Sequence, residues 1–257
     1  MSVFRPKFLF KNLIDDITQL SDSVGSQNAN KFRLFDRSDD LSYVSAGATT
    51  GTRTITWTPS GEKILSRIVL LGVNWKDFTI KFNGASNFTP TIARVGNQDK
   101  HIYIEVAAQA VTNIIFSITA TFTASDVVRA EEIIISNEIM EFSGTDCFDD
   151  DFRITPAQKA IFIEKSDGTF QKSFVRTTRG ASIRCTIRTE AERLKFWAVY
   201  EENRRNYVIF IPKPRTQSDI FDGVLLHAHW MGGRSFEDNS NGFEVNGFDG
   251  AFSLVPA

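Results

Sequence analysis

The chain is poor in cysteine and has no long apolar run, and these two shortages exclude several classes of protein. Cys147 and Cys185 are the only cysteines in 257 residues, too few for a disulfide framework, which favours assembly in a reducing cytosol. No stretch approaches the roughly 18 consecutive apolar residues that a membrane-spanning helix needs. The amino-terminal sequence does not have the form of a signal peptide. We therefore expect no membrane insertion and no export by the usual route.

An excess of charge of either sign is also missing. The formal net charge is −2, and no strongly basic composition points to nucleic acid or to an anionic membrane as a partner. The glycine-rich nucleotide motifs G-x-G-x-x-G and G-x-x-x-x-G-K-[ST] are absent, as is the serine-nucleophile motif G-x-S-x-G. The sequence therefore predicts a protein that is not an enzyme and that uses no cofactor or metal.

What the chain does have is alternation of apolar and polar residues. It contains 23 Phe against 4 Tyr, a ratio that favours core filling over amphipathic binding loops. In 77–82, 101–106 and 113–122 every second residue is apolar, the period of strands with one buried face. The inward residues predicted for these strands are Phe78, Ile80 and Phe82, then Ile102, Ile104 and Val106, then Ile114, Phe116, Ile118, Ala120 and Phe122. Further strands are predicted in 52–58, 64–71, 131–135, 160–164, 171–176, 207–211 and 223–230.

These strands and their turns predict a mostly β protein with two antiparallel β-sandwich (jelly-roll-like) modules. The acidic, glycine-containing stretch 141–151 interrupts the apolar pattern. We therefore place a first domain at 1–141, with an amino-terminal entry segment, and a second at 142–257.

Two helices are predicted. Thr189 and Glu192 have capping-box spacing, so a helix is predicted near 190–203 in the second module, with Leu194, Trp197, Ala198 and Glu201 at helical spacing. At the amino terminus, Phe10, Leu13, Ile14, Ile17 and Leu20 also form a helical stripe, although Asn12, Asp15, Asp16 and Thr18 are mediocre helix formers.

Some residues could carry metal chemistry, but simpler interpretations compete with it. His227 and His229 lie two apart on a predicted strand and could share a metal as part of a hydrolase, or form only its polar face. Asp149, Asp150 and Asp151 could bind calcium or form a solvated loop, since the spacing of a preformed calcium loop is missing. We favour the polar strand face for the two histidines and the solvated loop for the three aspartates.

A basic cluster consists of Arg176, Arg179, Arg184 and Arg188. It could be a solvated face or an inter-subunit surface that meets the acids at 149–151 of a neighbouring copy. Complementary patches on one chain suit head-to-tail contacts, which close into rings when the rotation permits.

Two stretches resemble known families. Residues 29–37, 54–57 and 64–80, the last reading ILSRIVLLGVNWKDFTI, resemble the discoidin-like jelly roll found in predicted minor tail proteins of bacteriophages, and 131–138 resembles its closing strand. Residues 188–201, 227–230 and 247–254 are similar to the carboxyl end of distal-tail-like proteins.

The resemblance implies a structural component of a phage tail tip or baseplate, assembled in the host cytoplasm and located in the virion. Its implied partners are copies of itself, tail tube and tail hub proteins. Discoidin-like modules often bind carbohydrate, so a host surface glycan is a further implied partner. The alternative hypothesis is a carbohydrate-binding adhesin module.

Overall fold

The computed structural model describes residues 7–23, 27–36, 42–47, 51–84, 91–137, 139–141, 153–164, 170–187, 189–203, 208–211, 226–230, 236–238 and 248–256. The described residues between 11 and 137 form one compact unit, the sandwich unit, while residues 7–10 and those from 139 onward form the long-strand unit. The predicted domain boundary at 141/142 stays a prediction.

The described residues are mostly β, as predicted, and the strand pairings among them are antiparallel. A single α-helix, α1 (Glu190–Asn203), and two 3₁₀ segments, Ile17–Gln19 and Gln27–Leu34, are described with them. The described strands are β1 (Lys7–Leu9), β2 (Leu20–Asp22), β3 (Tyr43–Val44), β4 (Arg53–Trp57), β5 (Lys63–Leu71), β6 (Trp75–Asn83), β7 (Thr91–Arg94), β8 (Ile102–Val111), β9 (Asn113–Thr121), β10 (Arg129–Ala130), β11 (Glu132–Ser136), β12 (Ile139–Glu141), β13 (Arg153–Glu164), β14 (Phe170–Ile187), β15 (Val208–Ile211), β16 (Leu226–Trp230), β17 (Phe236–Asp238) and β18 (Phe248–Pro256).

Two sheets face each other in the sandwich unit. Among its described strands, one sheet has the order β2-β4-β9-β6-β7 and the other β11-β5-β8, while β3 pairs with β10. Apolar side chains from both sheets form one core, because alternation directs every second residue between the sheets. The largest buried rings of this core are Trp57, Trp75, Tyr43, Phe78, Phe82 and Phe116.

The predicted register of β9 is confirmed through Ile118 and shifts beyond it. Phe116 and Ile118 are fully buried. The pairing of β9 with β6 is irregular around Asp77. After this irregularity Thr121 is buried, while the predicted inward residues Ala120 and Phe122 are half-buried. A bulge of this kind adds a residue to one strand and so turns the later side chains away from the expected face.

Around Tyr103 the three-stranded sheet is buried on both faces, which the alternation did not indicate. Tyr103 was expected on the polar face of β8, yet it is only 3% exposed. It pairs with Val69, and Val69 pairs with Ile134, both of which are also buried. On the same face Arg67 forms an ion pair with its cross-strand partner Glu105 at 2.8 Å, and the Tyr103 hydroxyl donates to Glu105.

The predicted amino-terminal helix is wrong. Residues 7–22 form β1, the short 3₁₀ turn Ile17–Gln19 and β2. Asn12 explains the extended path, because its side chain donates to the Ile133 carbonyl (2.9 Å) and accepts from the Ile135 amide (3.0 Å). Asparagine competes in this way with helical hydrogen bonds, and here it ties the segment to β11.

In the long-strand unit the described strands form one sheet of order β12-β1-β15-β16-β18-β14-β13, with β17 on β18. The capping box of α1 is confirmed: the Thr189 amide donates to Glu192 (3.1 Å) and the Glu192 amide donates to the Thr189 hydroxyl (3.2 Å). The helix buries Phe196 and Val199, and Phe196 packs edge-on against Phe8 of β1. Leu194 and Trp197, by contrast, are 57% and 40% exposed.

Candidate functional site

A polar pocket opens at one end of the sandwich unit. Its volume is about 480 Å³, and its described lining consists of Asp15, Asp16, Thr18, Gln19, Thr58 and Ser60. The first four residues precede β2 and the last two follow β4. Because β2 and β4 are paired antiparallel, the start of one strand lies beside the end of the other, and the two loops meet there.

The loop before β2 is held by its own backbone and by side-chain caps. The Asp16 carboxylate accepts from the Thr18 amide at 2.8 Å and the Asp16 carbonyl accepts from the Gln19 amide at 3.1 Å, closing the 3₁₀ turn. The hydrogen bonds from the Thr18 backbone and side chain hold the pKa of Asp16 below its usual value. Asp16 is exposed and therefore brings a negative charge to the pocket at neutral pH.

Gln19 joins the pocket to the core of the sandwich. Its side-chain oxygen accepts from the indole Nε1 of the fully buried Trp57 at 3.0 Å, and its Nε2 donates to Asp15 Oδ1. Its backbone carbonyl accepts from the Thr58 amide at 2.8 Å, which fixes the second loop beside the first. The lining residues Asp15, Thr18, Thr58 and Ser60 are exposed, so their remaining donors and acceptors face solvent.

At the other end of the same unit, polar side chains are used differently. Asn74 donates to the Val127 carbonyl and accepts from the Arg129 amide, at 2.8 and 2.9 Å. Asn97 donates to the carbonyls of Trp75 and Asp99 at 2.7 and 2.9 Å.

The same end contains two further contacts of this kind. Asp77 accepts from the Gly96 amide, and His101 Nδ1 accepts from the amide of Gly72. Gly72 has a φ of +57°, and an added Cβ would overlap the side chain of Glu131. The side chains of Asp77 and His101, like those of Asn74 and Asn97, therefore hold the backbone of this end in place.

The residues singled out from sequence are not among the described lining residues of the pocket. Arg176, Arg179 and Arg184 are on β14, whereas Arg188, Asp149, Asp150 and Asp151 lie outside the described residues, so the predicted inter-subunit contact stays a prediction. His227 and His229 are both on β16, as predicted. Among the residues that the structure describes, no group of three or more His, Cys, Asp or Glu is placed to hold a metal ion. No helix in the described ranges is long and apolar enough to cross a membrane.

The pocket residues were not predicted as a site. Asp15, Asp16 and Thr18 stood out only as poor helix formers in an apolar stripe. Their low helix propensity was the one indication of a turn here, because short polar residues that disfavour a helix interior favour caps and turns.

No protein-family model matches the chain, and no curated protein matches it in sequence. Solved structures share part of its arrangement. A chitosan-binding module of a chitosanase/glucanase from Paenibacillus sp. IK-5 is 16% identical and covers 49% of this chain and 99% of its own, with a TM-score of 0.40. A Streptococcus pneumoniae fucose binding module is 7% identical over 50% of this chain and 96% of its own (TM-score 0.39).

A third similar structure is a module from a family 31 glycoside hydrolase of Clostridium perfringens. It is 14% identical and covers 47% of this chain and 92% of its own, with a TM-score of 0.38. The function of this chain has to be inferred from its own side chains, because similarities at this level concern the arrangement of strands.

Proposed function

We propose that the sandwich unit binds a carbohydrate in the polar pocket between the loops that flank β2 and β4. The observation that supports this proposal is the lining itself: three hydroxyl groups, two carboxylates and one amide around a cavity of about 480 Å³. A sugar presents several hydroxyls that each donate and accept hydrogen bonds, and such a lining can satisfy them from several sides.

The pocket is also held in shape before any ligand arrives. Asp16 caps the 3₁₀ turn, and Gln19 is hydrogen-bonded through both its side chain and its backbone. A site whose polar groups are already oriented spends less free energy on ordering when the ligand binds. This supports binding of a defined ligand at a fixed position.

The proposal is tested by applying the full-length chain to an array of neutral, amino and acidic oligosaccharides. Replacing Thr58→Val and Ser60→Ala together removes two lining hydroxyls without changing the charge. Each lost hydrogen bond is worth about 0.5–1.5 kcal/mol, so the double variant should bind the best oligosaccharide roughly 5–150-fold more weakly.

Thr123→Val is the matched control, because Thr123 is exposed and follows β9 at the other end of the unit. It should bind like the unchanged chain. A chain that binds no oligosaccharide on the array, or a double variant that binds as well as the control, would sink the proposal.

We further propose a binding protein without catalytic activity. The structural role in a phage tail, with copies of the chain, tube and hub proteins as partners and the virion as location, stays a prediction from sequence. Imaging of virions with a labelled chain checks it. Carbohydrate binding is favoured here because the pocket supports it directly.

A further inference from the structure

The orientation of the Gln19 side chain is determined by its neighbours. The indole of Trp57 can only donate a hydrogen bond, so the Gln19 oxygen must face it. The Gln19 nitrogen then faces Asp15, to which it donates. We call this series the Trp57–Gln19–Asp15 relay.

The relay resists reversal because Trp57 is fully buried. Turning the amide around would place an N–H group against the indole N–H and leave a buried donor without an acceptor. It would also place the amide oxygen against the Asp15 carboxylate. A lost partner for a buried donor costs about 1–3 kcal/mol, enough to keep one orientation dominant.

The fixed amide gives the pocket a defined polarity. Gln19 Nε2 has a second proton beyond the one given to Asp15, and the Asp15 carboxylate has further acceptor sites. A hydroxyl group can accept from the amide and donate to the carboxylate at once. A ligand carboxylate or sulfate can only accept, and it would meet the charges of Asp15 and Asp16, with no Lys or Arg among the described lining residues.

We propose that the Trp57–Gln19–Asp15 relay makes Gln19 a specificity-determining residue, through which the pocket selects neutral, hydroxyl-bearing sugars over acidic ones. This inference rests on carbohydrate binding by the pocket. It names the class of sugar and the residue that chooses it.

The test replaces one atom type in the relay. Gln19→Glu retains the acceptor for Trp57 but places a second carboxylate against Asp15, so a neutral oligosaccharide should bind at least about tenfold more weakly. Adding Asp15→Asn reverses the donor and acceptor of that contact and returns the net charge to that of the unchanged chain. The double variant should regain most of the lost affinity, which a simple loss of packing would not allow.

Gln98→Glu is the matched control, since Gln98 is exposed at the other end of the sandwich unit, next to Asn97, which donates to the Trp75 carbonyl. Affinities for neutral, amino and uronic-acid oligosaccharides of equal length are measured by calorimetry, with thermal unfolding as the check on folding. The unchanged chain should bind the neutral oligosaccharide at least about tenfold more tightly than the acidic one. A factor of this size corresponds to one hydrogen bond to a charged group.

Two results would overturn the inference while leaving carbohydrate binding intact: equal affinity for neutral and acidic sugars, or Gln19→Glu binding as well as Gln98→Glu. If Gln19→Glu unfolds, equal affinity of the unchanged chain for neutral and acidic sugars would still overturn the inference. Binding to none of the three sugars would overturn the proposed function as well.

Discussion

The two ends of the sandwich unit have similar polar residues, but Gln19 at the pocket end has different partners from the asparagines at the other end. At the Asn74 end, the side chains of Asn74 and Asp77 bond to the backbone of neighbouring loops, and that of Asn97 donates to the carbonyl of Trp75 at the start of β6. At the pocket end, Gln19 bonds to the side chains of Trp57 and Asp15, and exposed hydroxyls surround it.

This difference indicates where a ligand can compete. A side chain that completes the hydrogen bonds of a buried or half-buried backbone cannot release them without cost. A side chain that bonds to another side chain and has further donors or acceptors can bind a ligand while it keeps its existing hydrogen bonds. Polar composition alone would not separate the two ends.

The largest effect is expected from the core that both ends share. Phe116 is fully buried, pairs with Ile55 and Ile80 in the middle of the sheet and packs against Trp75 with ring centroids 6.0 Å apart. Phe116→Ala should lower the free energy of unfolding by about 3–5 kcal/mol and weaken both ends together. Urea unfolding measures this, with Phe32→Ala as control because Phe32 is 40% exposed. Equal losses in the two variants would contradict the burial of Phe116.

A smaller effect is expected at the Asn74 end. Asn74→Ala removes a donor to the Val127 carbonyl and an acceptor for the Arg129 amide, so it should cost about 1–3 kcal/mol of stability. Oligosaccharide binding at the pocket should not change. Asn137→Ala, at an exposed position, should leave stability within about 0.5 kcal/mol. If Asn74→Ala weakened sugar binding in a fully folded protein, the contrast between the two ends would be wrong.

The smallest effect concerns Asp16 at the pocket end. The pKa of Asp16 in the folded chain lies below its usual value because the Thr18 amide donates to the carboxylate. The hydrogen bond therefore stabilises the fold at pH values above the unfolded pKa, and this stabilisation is lost as the pH falls through the folded pKa. The amide resonance of Thr18 should therefore titrate with a midpoint below the ordinary Asp value of 3.8. A midpoint at or above that value would show that the cap does not form in solution.

Much of the fold follows from local patterns in the sequence. Phe78, Ile80 and Phe82 face the core as their alternation predicted, and the capping box placed the start of α1. The patterns failed where tertiary contacts dominate. The apolar stripe at 10–20 resembles a helix, yet Asn12 binds the backbone of β11, which lies more than 120 residues away in the chain. Local propensity contains no information about such a partner.

The pocket was still harder to predict than the fold. Its lining comes from two loops that are about 40 residues apart in the chain and meet only because β2 pairs with β4. The residues conspicuous in the sequence are those of the ordinary metal-ligand types, such as His227 and His229. Hydroxyls and amides have no spacing rule comparable to that of metal ligands, so their grouping becomes visible only in the folded chain.

Lys31 covers a backbone carbonyl of β2 that faces away from the rest of the described sheet. The Gln19 carbonyl accepts from the Thr58 amide on the β4 side, so the next carbonyl along the chain, that of Leu20, points away from β4, and Lys31 Nζ donates to it at 2.8 Å. An edge strand with unpaired carbonyls can pair with a strand of another molecule, and a lysine side chain at the edge disfavours this pairing. We therefore expect Lys31 to disfavour the pairing of a strand from another molecule with β2.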